Sequence, residues 1–271
     1  MIAQTRTQVR ALLERHGLKP RKSLGQHFLA DPNITEKIVA TASITSGDNV
    51  VEVGAGTGTL TAALASRAAR VVSYEVDRSL EPLLIEVLKP HPNVDLRFED
   101  VTSVDLGAEL GPGSWKLVAN LPYNVGTGLV LDVLRHTPQI GLMVVMVQTE
   151  VGHRLAASAG TKQYGVPSVV AQLHAHVRVG FTVPPQVFVP PPNVGSAVVV
   201  LERTGAPEGA ERAIQLAGAA FGQRRKMLRS SLASVLDDPV TVLERAGISP
   251  ELRAEQLTPS DYLALGRVSH G

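Results

Sequence analysis

Short apolar runs alternate with segments of helical periodicity between residues 49 and 147, and this alternation restricts the fold more than any other feature of the sequence. The runs are rich in β-branched residues and lie at 49–53, 71–74, 94–98, 116–119 and 142–147. Strands that are buried on both faces have continuous apolar sequences, and parallel neighbours require crossover helices between them. The alternation therefore predicts an α/β domain built on a mostly parallel sheet.

Two further apolar stretches, 174–183 and 196–201, are joined by a proline-rich connection and suit a hairpin at one edge of the sheet. They bring the predicted number of strands to seven. The segment that follows combines Gly and Pro with no apolar periodicity, as a linker does, and the rest of the chain has helical patterns. We therefore predict a first domain at 1–203 and a small, all-helical second domain at 204–271.

A glycine-rich turn follows the first apolar run, where Gly54, Gly56 and Gly58 give the pattern G-x-G-x-G before a helix begins. Glycines allow the backbone to turn tightly and a ligand to approach closely. The dinucleotide fingerprint G-x-G-x-x-G would require a glycine where this chain has Thr59. The spacing favours a nucleoside ligand such as S-adenosylmethionine over a dinucleotide, and over a turn that serves packing alone.

Acidic residues follow the second and third strands of the predicted sheet. Glu75 lies where a carboxylate can accept hydrogen bonds from both hydroxyls of a ribose. Asp100 follows the next strand and can accept from the amine of an adenine. Either acid alone would suit solvent equally well. Both are expected at one edge of the sheet beside the glycine turn, so together they predict a nucleoside site.

The motif Asn120, Leu121, Pro122 and Tyr123 ends the fourth run and indicates the reaction. The adenine amine is a poor nucleophile because its lone pair is delocalised into the ring. The Asn120 side-chain oxygen and the Leu121 carbonyl can each accept one amine hydrogen, while Pro122 fixes the turn and adds no competing donor. Tyr123 offers a face on which an extruded base can stack, although in isolation a Tyr here more often plugs the edge of the sheet. The motif predicts methylation of a planar amine.

Composition restricts the partners. The chain has no cysteine, which excludes disulfides, thiolate catalysis and Cys-based zinc sites. Its net charge is +1, so contacts with a polyanion must come from local clusters. No apolar run approaches the roughly 20 residues of a membrane span, and we expect a cytoplasmic protein that uses neither a membrane nor a metal.

His174 and His176 alternate on a predicted strand without a third ligand in register, so we interpret them as structural.

Basic residues are concentrated in two places. Residues 1–30 carry six cations against one acid, on a short amphipathic helix at 4–16 and a basic turn that contains Arg21 and Lys22. A second cluster is formed by Arg224, Arg225, Lys226 and Arg229, which we expect on a helix. Each cluster is either a solvated helix face or a contact for phosphates. The local concentration of charge in the second cluster favours phosphate contact.

Motifs spread along the chain resemble those of the small-subunit ribosomal RNA adenine N6,N6-dimethyltransferases, from about residue 19 to beyond 260. They are the glycine turn, the two acids and the Asn120–Tyr123 motif, together with the segments 22–29, 188–196 and 221–232. The resemblance implies a Rossmann-like class I methyltransferase domain with a mostly parallel seven-stranded sheet. It also implies that the helical C-terminal domain contacts RNA.

The resemblance implies roles for individual residues. S-adenosylmethionine is the implied cofactor, with a site formed by His27, Leu29, Gly54, Gly56, Glu75, Asp100 and Asn120. Catalysis is assigned to Asn120, Leu121, Pro122 and Tyr123, with Phe188 stacking on the target adenine opposite Tyr123. Many relatives carry Asn at the position of His27, so we expect only the backbone of this residue to be used.

The implied substrate is the small-subunit rRNA of an assembly intermediate, in which two neighbouring adenosines of a hairpin near the 3′ end each receive two methyl groups. Arg21, Lys22 and the second basic cluster are the predicted RNA contacts, and we expect a monomer. Two alternatives stay open at this point. One is the same chemistry on large-subunit rRNA or on DNA, and the other is a ribosome-assembly factor that binds through this fold with catalysis secondary or lost.

Overall fold

The computed structural model describes residues 4–269, which contain twelve α-helices and nine strands. The helices are α1 (Arg6–Arg15), α2 (Pro32–Thr41), α3 (Thr59–Ala65), α4 (Glu81–Leu88), α5 (Leu106–Leu110), α6 (Gly126–His136), α7 (Thr149–Leu155), α8 (Val166–His174), α9 (Ala210–Gly222), α10 (Leu228–Ser231), α11 (Pro239–Arg245) and α12 (Pro259–Val268). The strands are β1 (Phe28–Leu29), β2 (Asn49–Val53), β3 (Arg70–Tyr74), β4 (Val94–Arg97), β5 (Trp115–Asn120), β6 (Ile140–Gln148), β7 (Ala175–Val183), β8 (Phe188–Val189) and β9 (Ser196–Arg203).

Seven strands form one sheet in the order β4-β3-β2-β5-β6-β9-β7. β2 runs parallel to both β3 and β5, β4 is parallel to β3, and β6 is parallel to β5. β9 is antiparallel to β6. The predicted, mostly parallel, seven-stranded sheet is confirmed, and each predicted strand lies within two residues of its observed ends.

The central strands are mostly apolar because both faces of the sheet are covered. Val50 and Val51 on β2 are fully buried, as are Val144 and Met146 on β6. The chain leaves β2 toward β3 on one side and reaches β5 on the other, so the order reverses beside β2. In sheets of this kind such a reversal opens a crevice at the carboxyl ends of the strands, and ligands bind there.

A separate two-stranded sheet joins the N-terminal segment to the proline-rich connection. β1 and β8 run antiparallel, with Phe28 opposite Val189 and Leu29 opposite Phe188. All four side chains are buried, Leu29 and Phe188 in one apolar cluster and Phe28 and Val189 in another. The pairing also brings the residues before α2 alongside residues that lie about 160 positions later in the sequence.

The chain divides into two compact units. The first takes the chain as far as Gly152 together with Arg178–Glu202, and the second takes His153–Val177 together with the chain from Arg203 onwards. The segment 153–177 therefore lies in the second unit and not in the first domain, where the sequence placed it.

The reason for this difference is a shared core. Tyr164, Val169 and Leu173 are buried in the same apolar cluster as Leu216 and Leu265 from the C-terminal helices. The outermost residues of the two predicted domains, 1–3 and 270–271, lie outside the described residues. Within the described range, no helix has both the length and the apolar character needed to cross a membrane.

The predicted basic helix around Arg224 is wrong in one respect. Helix α9 ends at Gly222, and Gln223 leaves helical geometry with φ −125° and ψ 46°. Arg224, Arg225 and Lys226 therefore lie on a turn between α9 and α10. Glycine is a poor helix former because it has the most conformational freedom to lose, which is consistent with the helix ending here.

Candidate functional site

A cavity lies at the carboxyl ends of β2, β3, β4 and β5 in the first unit, at the reversal of strand order. Its walls are the segments that follow these strands, 54–57, 75–76, 99–102 and 121–125, and the N-terminal segment 24–29 covers it. The structure brings together all seven residues that the sequence assigned to a cofactor: His27, Leu29, Gly54, Gly56, Glu75, Asp100 and Asn120.

The glycine turn leaves space that side chains would occupy. Gly54 has φ +84°, and a Cβ atom there would lie 3.6 Å from the Asn120 carbonyl oxygen. Gly56 has φ +57°, and its Cβ would lie 3.1 Å from the ring of Phe28. Both positions have left-handed backbone, which favours glycine, and a Cβ at Gly56 would also crowd the Phe28 ring, so the turn is built from glycine and its backbone stays open to a ligand.

Glu75 is locked in place beneath this turn. Gly56 N donates to one carboxylate oxygen and Asp77 N donates to the other, each at 2.9 Å. Burial raises the pKa of Glu75, an effect that the two N–H donors oppose and the nearby charge of Asp77 reinforces. Each carboxylate oxygen retains a second lone pair, so the group suits a ribose diol without moving.

Asp100 has a different environment at the rim of the cavity. Its side chain is exposed, and Thr102 donates to its Oδ1 from the backbone N at 2.9 Å and from the hydroxyl at 2.7 Å. These bonds lower the pKa of Asp100. Both occupy Oδ1, which leaves Oδ2 as an acceptor for an amine on a ligand.

Hydrogen bonds to backbone groups hold the Asn120–Tyr123 motif in place. The Asn120 amide donates from Nδ2 to the His27 carbonyl at 3.3 Å, so its Oδ1 stays available as an acceptor in the cavity. Leu121 N donates to Met146 O on β6 at 3.0 Å. The Pro122 carbonyl accepts from two N–H groups at the start of α6. The turn is therefore fixed before any substrate binds.

The Tyr123 ring is half-buried and held at both ends. Its hydroxyl lies 2.7 Å from the hydroxyl of Ser196, the first residue of β9. Burial raises the pKa of Tyr123, although the bond to Ser196 opposes this, so the phenol is neutral at physiological pH. Its ring stacks against His27, with centroids 5.6 Å apart and an interplanar angle of 30°.

His27 makes contacts within the protein through both its backbone and its side chain, while the expectation that only its backbone serves the ligand stays a prediction. The backbone carbonyl does accept from Asn120, but the side chain also takes part. Its Nδ1 lies 2.8 Å from the Pro190 carbonyl oxygen, and its ring supports Tyr123. The imidazole thereby connects the motif at the end of β5 to the connection that follows β8.

Phe188 does not take the position expected from the sequence. Its side chain is fully buried in an apolar cluster that includes Leu29, Val118 and Val144. The ring does not line the cavity, and no face of it is open to a base. The register of the β1–β8 pair, which cannot be inferred from the sequence, turns this side chain toward the core.

Two supporting residues were missed in the sequence. Asp77 is buried and accepts from Arg21 Nη1 at 2.9 Å and from Gln26 Nε2 at 2.8 Å, so one predicted RNA-binding cation is bonded to a residue that supports the site. Ser196 is fully buried and fixes Tyr123. The spacing Glu75-x-Asp77 at a strand end was the available signal for the first, but nothing local distinguishes Ser196.

The four cations of the basic cluster in the second unit differ in whether an acidic side chain lies nearby. Arg224 Nε lies 3.6 Å from Glu255, and Arg229 lies 3.9 Å from Glu251. Arg225 and Lys226 are exposed on the turn. Of the four cations in this cluster, these two are therefore the better placed to contact a polyanion.

The predicted structural histidines behave differently from each other. His174 is buried, with Nδ1 2.9 Å from the Val170 carbonyl oxygen, whereas His176 is exposed. Over residues 4–269, no group of three or more acidic or histidine side chains is arranged to hold a metal ion.

The chain is similar to known proteins over most of its length. A family model described as ribosomal RNA adenine dimethylase matches residues 17–268. The chain is 43% identical over 265 residues to a ribosomal RNA small subunit methyltransferase A of Magnetococcus marinus, covering 95% of both chains. It is 45% identical over 276 residues to the protein of that name from Pelotomaculum thermopropionicum, covering 95% of this chain and 94% of the relative.

A solved structure is also similar over most of the chain. It is the crystal structure of a dimethyladenosine transferase from Plasmodium falciparum, with a TM-score of 0.77 and 25% identity. The match covers 88% of this chain and 96% of that one.

Proposed function

Since this chain belongs to the ribosomal RNA adenine dimethylase family, we propose that it methylates the N6 amines of two neighbouring adenosines near the 3′ end of small-subunit rRNA, twice each. The substrate is an assembly intermediate of the small ribosomal subunit, and the protein acts as a monomer in the cytoplasm. The small-subunit target is supported by relatives that carry this target in their names.

The orientation of Asn120 carries the proposal. Because Nδ2 is held by the His27 carbonyl, Oδ1 is presented as a hydrogen-bond acceptor. Together with the Leu121 carbonyl it can take both hydrogens of an adenine amine. Accepting both bonds draws the nitrogen toward tetrahedral geometry and localises its lone pair. A positively charged, methylated nitrogen releases its proton readily, so no strong general base is required at this position.

The residues at the other end of the cavity fit S-adenosylmethionine, the methyl donor of the family. The glycine turn admits a ligand that a Cβ would exclude, Glu75 suits a ribose diol, and Asp100 Oδ2 suits an adenine amine. When bound, the donor supplies a methyl group already activated for transfer. The task of the protein is then positioning, which accounts for much of the acceleration in reactions of this type.

Tyr123 and the two basic clusters are assigned to the RNA. A base that is turned out of its helix can stack on the face of Tyr123 that His27 leaves open, a contact worth about 1–3 kcal/mol. Arg21 and Lys22 in the first unit, and Arg224, Arg225, Lys226 and Arg229 in the second, contact phosphates. Such contacts position the RNA and make its affinity depend on salt.

Transfer of labelled methyl groups to purified ribosomal subunits tests the proposal. Small subunits that lack the modification, large subunits and a DNA duplex are each incubated with the protein and S-adenosylmethionine carrying a labelled methyl group. We expect label in the small subunit alone, as dimethyladenosine at two adjacent positions near the 3′ end. Label in the large subunit or in DNA would contradict the target, and binding to small subunits without transfer would indicate an assembly factor.

A further inference from the structure

A short turn, residues 21–26, lies beside the cavity and lines it with residues 24–26, and the side chain of Gln26 closes the turn on itself. The side chain of Gln26 accepts from Arg21 N at 2.8 Å through Oε1. Leu24 N and Gln26 N both donate back to the Arg21 carbonyl. The turn begins with the exposed cations Arg21 and Lys22 and continues into residues that line the cavity. One face of the turn is therefore basic and the other is part of the ligand site.

Asp77 fastens this turn to the rest of the site. Its Oδ1 accepts from Arg21 Nη1 at 2.9 Å and its Oδ2 accepts from Gln26 Nε2 at 2.8 Å. Ser79 completes the set from its backbone N and its hydroxyl. The side chain of Asp77 is 2% exposed, whereas that of Arg21 is 54% exposed. A buried anion thus holds a cation whose remaining donors face solvent.

The same residue also holds Glu75. Asp77 N donates to Glu75 Oε1 at 2.9 Å, while Gly56 N donates to the other oxygen. Two hydrogen bonds therefore connect the exposed guanidinium of Arg21 to Asp77 and Asp77 to the Glu75 carboxylate, which is proposed to bind a ribose. Lys22 is the adjacent cation on the same turn and lacks this connection to Asp77.

We propose that Asp77 is a positioning residue that couples the two substrates of the reaction, because it joins the Glu75 end of the cavity to the RNA-facing turn 21–26. A bound nucleoside adds partners to the Glu75 carboxylate and so reinforces the existing bonds from Glu75 through Asp77 to the turn, which holds Arg21 more firmly for a phosphate. Coupling between two sites is reciprocal, so RNA on the turn strengthens binding of the nucleoside ligand by the same factor. This inference rests on the proposed function, since it takes RNA and a nucleoside as the ligands.

Equilibrium binding with a non-reactive ligand tests the coupling. Affinity for a small-subunit 3′-hairpin RNA is measured by fluorescence anisotropy, with and without saturating S-adenosylhomocysteine, in full-length protein. We expect the ligand to raise RNA affinity roughly tenfold in the unmodified protein, within the usual range of such couplings. In Arg21→Gln the enhancement should fall below about twofold, and calorimetry should show weaker S-adenosylhomocysteine binding without RNA.

Lys22→Gln is the matched control. It removes a neighbouring cation from the same turn, so we expect weaker RNA binding with the enhancement by S-adenosylhomocysteine retained. Asp77→Asn should abolish the enhancement as Arg21→Gln does, and its thermal unfolding is measured in parallel because the residue is buried. If Arg21→Gln and Lys22→Gln lose the same RNA affinity and keep the same enhancement, the coupling role is wrong. Failure of the unmodified protein to bind S-adenosylhomocysteine would instead contradict the proposed function.

Discussion

The two ends of the cavity are built in different ways. At the end proposed for the methyl donor, backbone N–H groups of Gly56 and Asp77 hold Glu75, and these residues lie at the ends of two adjacent parallel strands. At the end proposed for the target base, side chains from three distant segments hold one another, namely His27, Tyr123 and Ser196. The first arrangement follows from strand order, whereas the second depends on the pairing of short strands and on side-chain direction.

The largest effect is expected at Phe188. If its ring belongs to the core, Phe188→Ala should lower the free energy of unfolding by about 3–5 kcal/mol, as truncation of a buried aromatic does. Chemical denaturation with urea measures this. Val194→Ala, at a position 46% exposed in the same connection, is the control and should stay within about 0.5 kcal/mol. Unchanged stability together with lost RNA methylation would instead assign Phe188 to the target base.

The contrast explains how much the sequence could predict. Apolar runs of the right length between turn residues predicted all seven strands, and acids after consecutive strands predicted Glu75 and Asp100 because parallel strands share one edge. The position of Phe188 was misjudged because the direction of its side chain depends on the β1–β8 register, which joins segments about 160 positions apart. Motif spacing carries no information about such long-range pairing.

The segment 153–177 shows the same limit at the level of domains. Its helix α8 runs directly into β7, so the sequence offers no linker between them. Burial of Tyr164 and Leu173 among C-terminal side chains places the segment in the second unit. A domain boundary predicted from Gly and Pro alone marks the last point at which the chain passes from the first unit to the second. It misses the earlier segment, 153–177, that also belongs to the second unit.

At the target end, Asn120→Ala should nearly abolish the reaction. The variant loses the Asn120 side-chain oxygen, which is one of the two proposed acceptors for the adenine amine. It also loses the hydrogen bond from Asn120 Nδ2 to the His27 carbonyl that orients this side chain. Loss of a single preorganised hydrogen-bonding group commonly costs about 10²–10³-fold in rate. Single-turnover methylation of the RNA measures the rate, and calorimetry with S-adenosylhomocysteine checks that the donor site remains intact. If the variant methylates RNA at the same rate as the protein with Asn120, the acceptor role is refuted.

Glu52 provides a pH-dependent test at the donor end. This residue of β2 is fully buried, and burial raises its pKa to about 7 although Ser73 donates to it at 2.6 Å. The folded protein therefore holds this proton more tightly than the unfolded chain, and stability contributed by the neutral form is lost as pH rises from about 4.5 to about 7. Glu52→Gln removes the ionisation and should stabilise the protein by up to roughly 3 kcal/mol at pH 8 but by less than roughly 1 kcal/mol at pH 5.

Urea denaturation of both proteins at the two pH values measures this difference. The conservative amide keeps the size of the side chain, so packing is matched at both pH values. An equal stability change at pH 5 and pH 8 would show that the Glu52 carboxyl keeps the same charge across this range.

The smallest effect concerns the bond between Tyr123 and Ser196. Ser196→Ala removes the partner of the Tyr123 hydroxyl, and a neutral hydrogen bond of this kind is worth about 1 kcal/mol, so kcat/KM should fall roughly fivefold. Tyr123→Phe removes the same bond from the other side and should cost as much. Because one interaction is lost in all cases, the double variant should be no worse than either single variant. If the two reductions in kcat/KM multiply in the double variant, the hydroxyls of Tyr123 and Ser196 act separately. The side chains at the target end would then depend on one another less than their hydrogen bonds indicate.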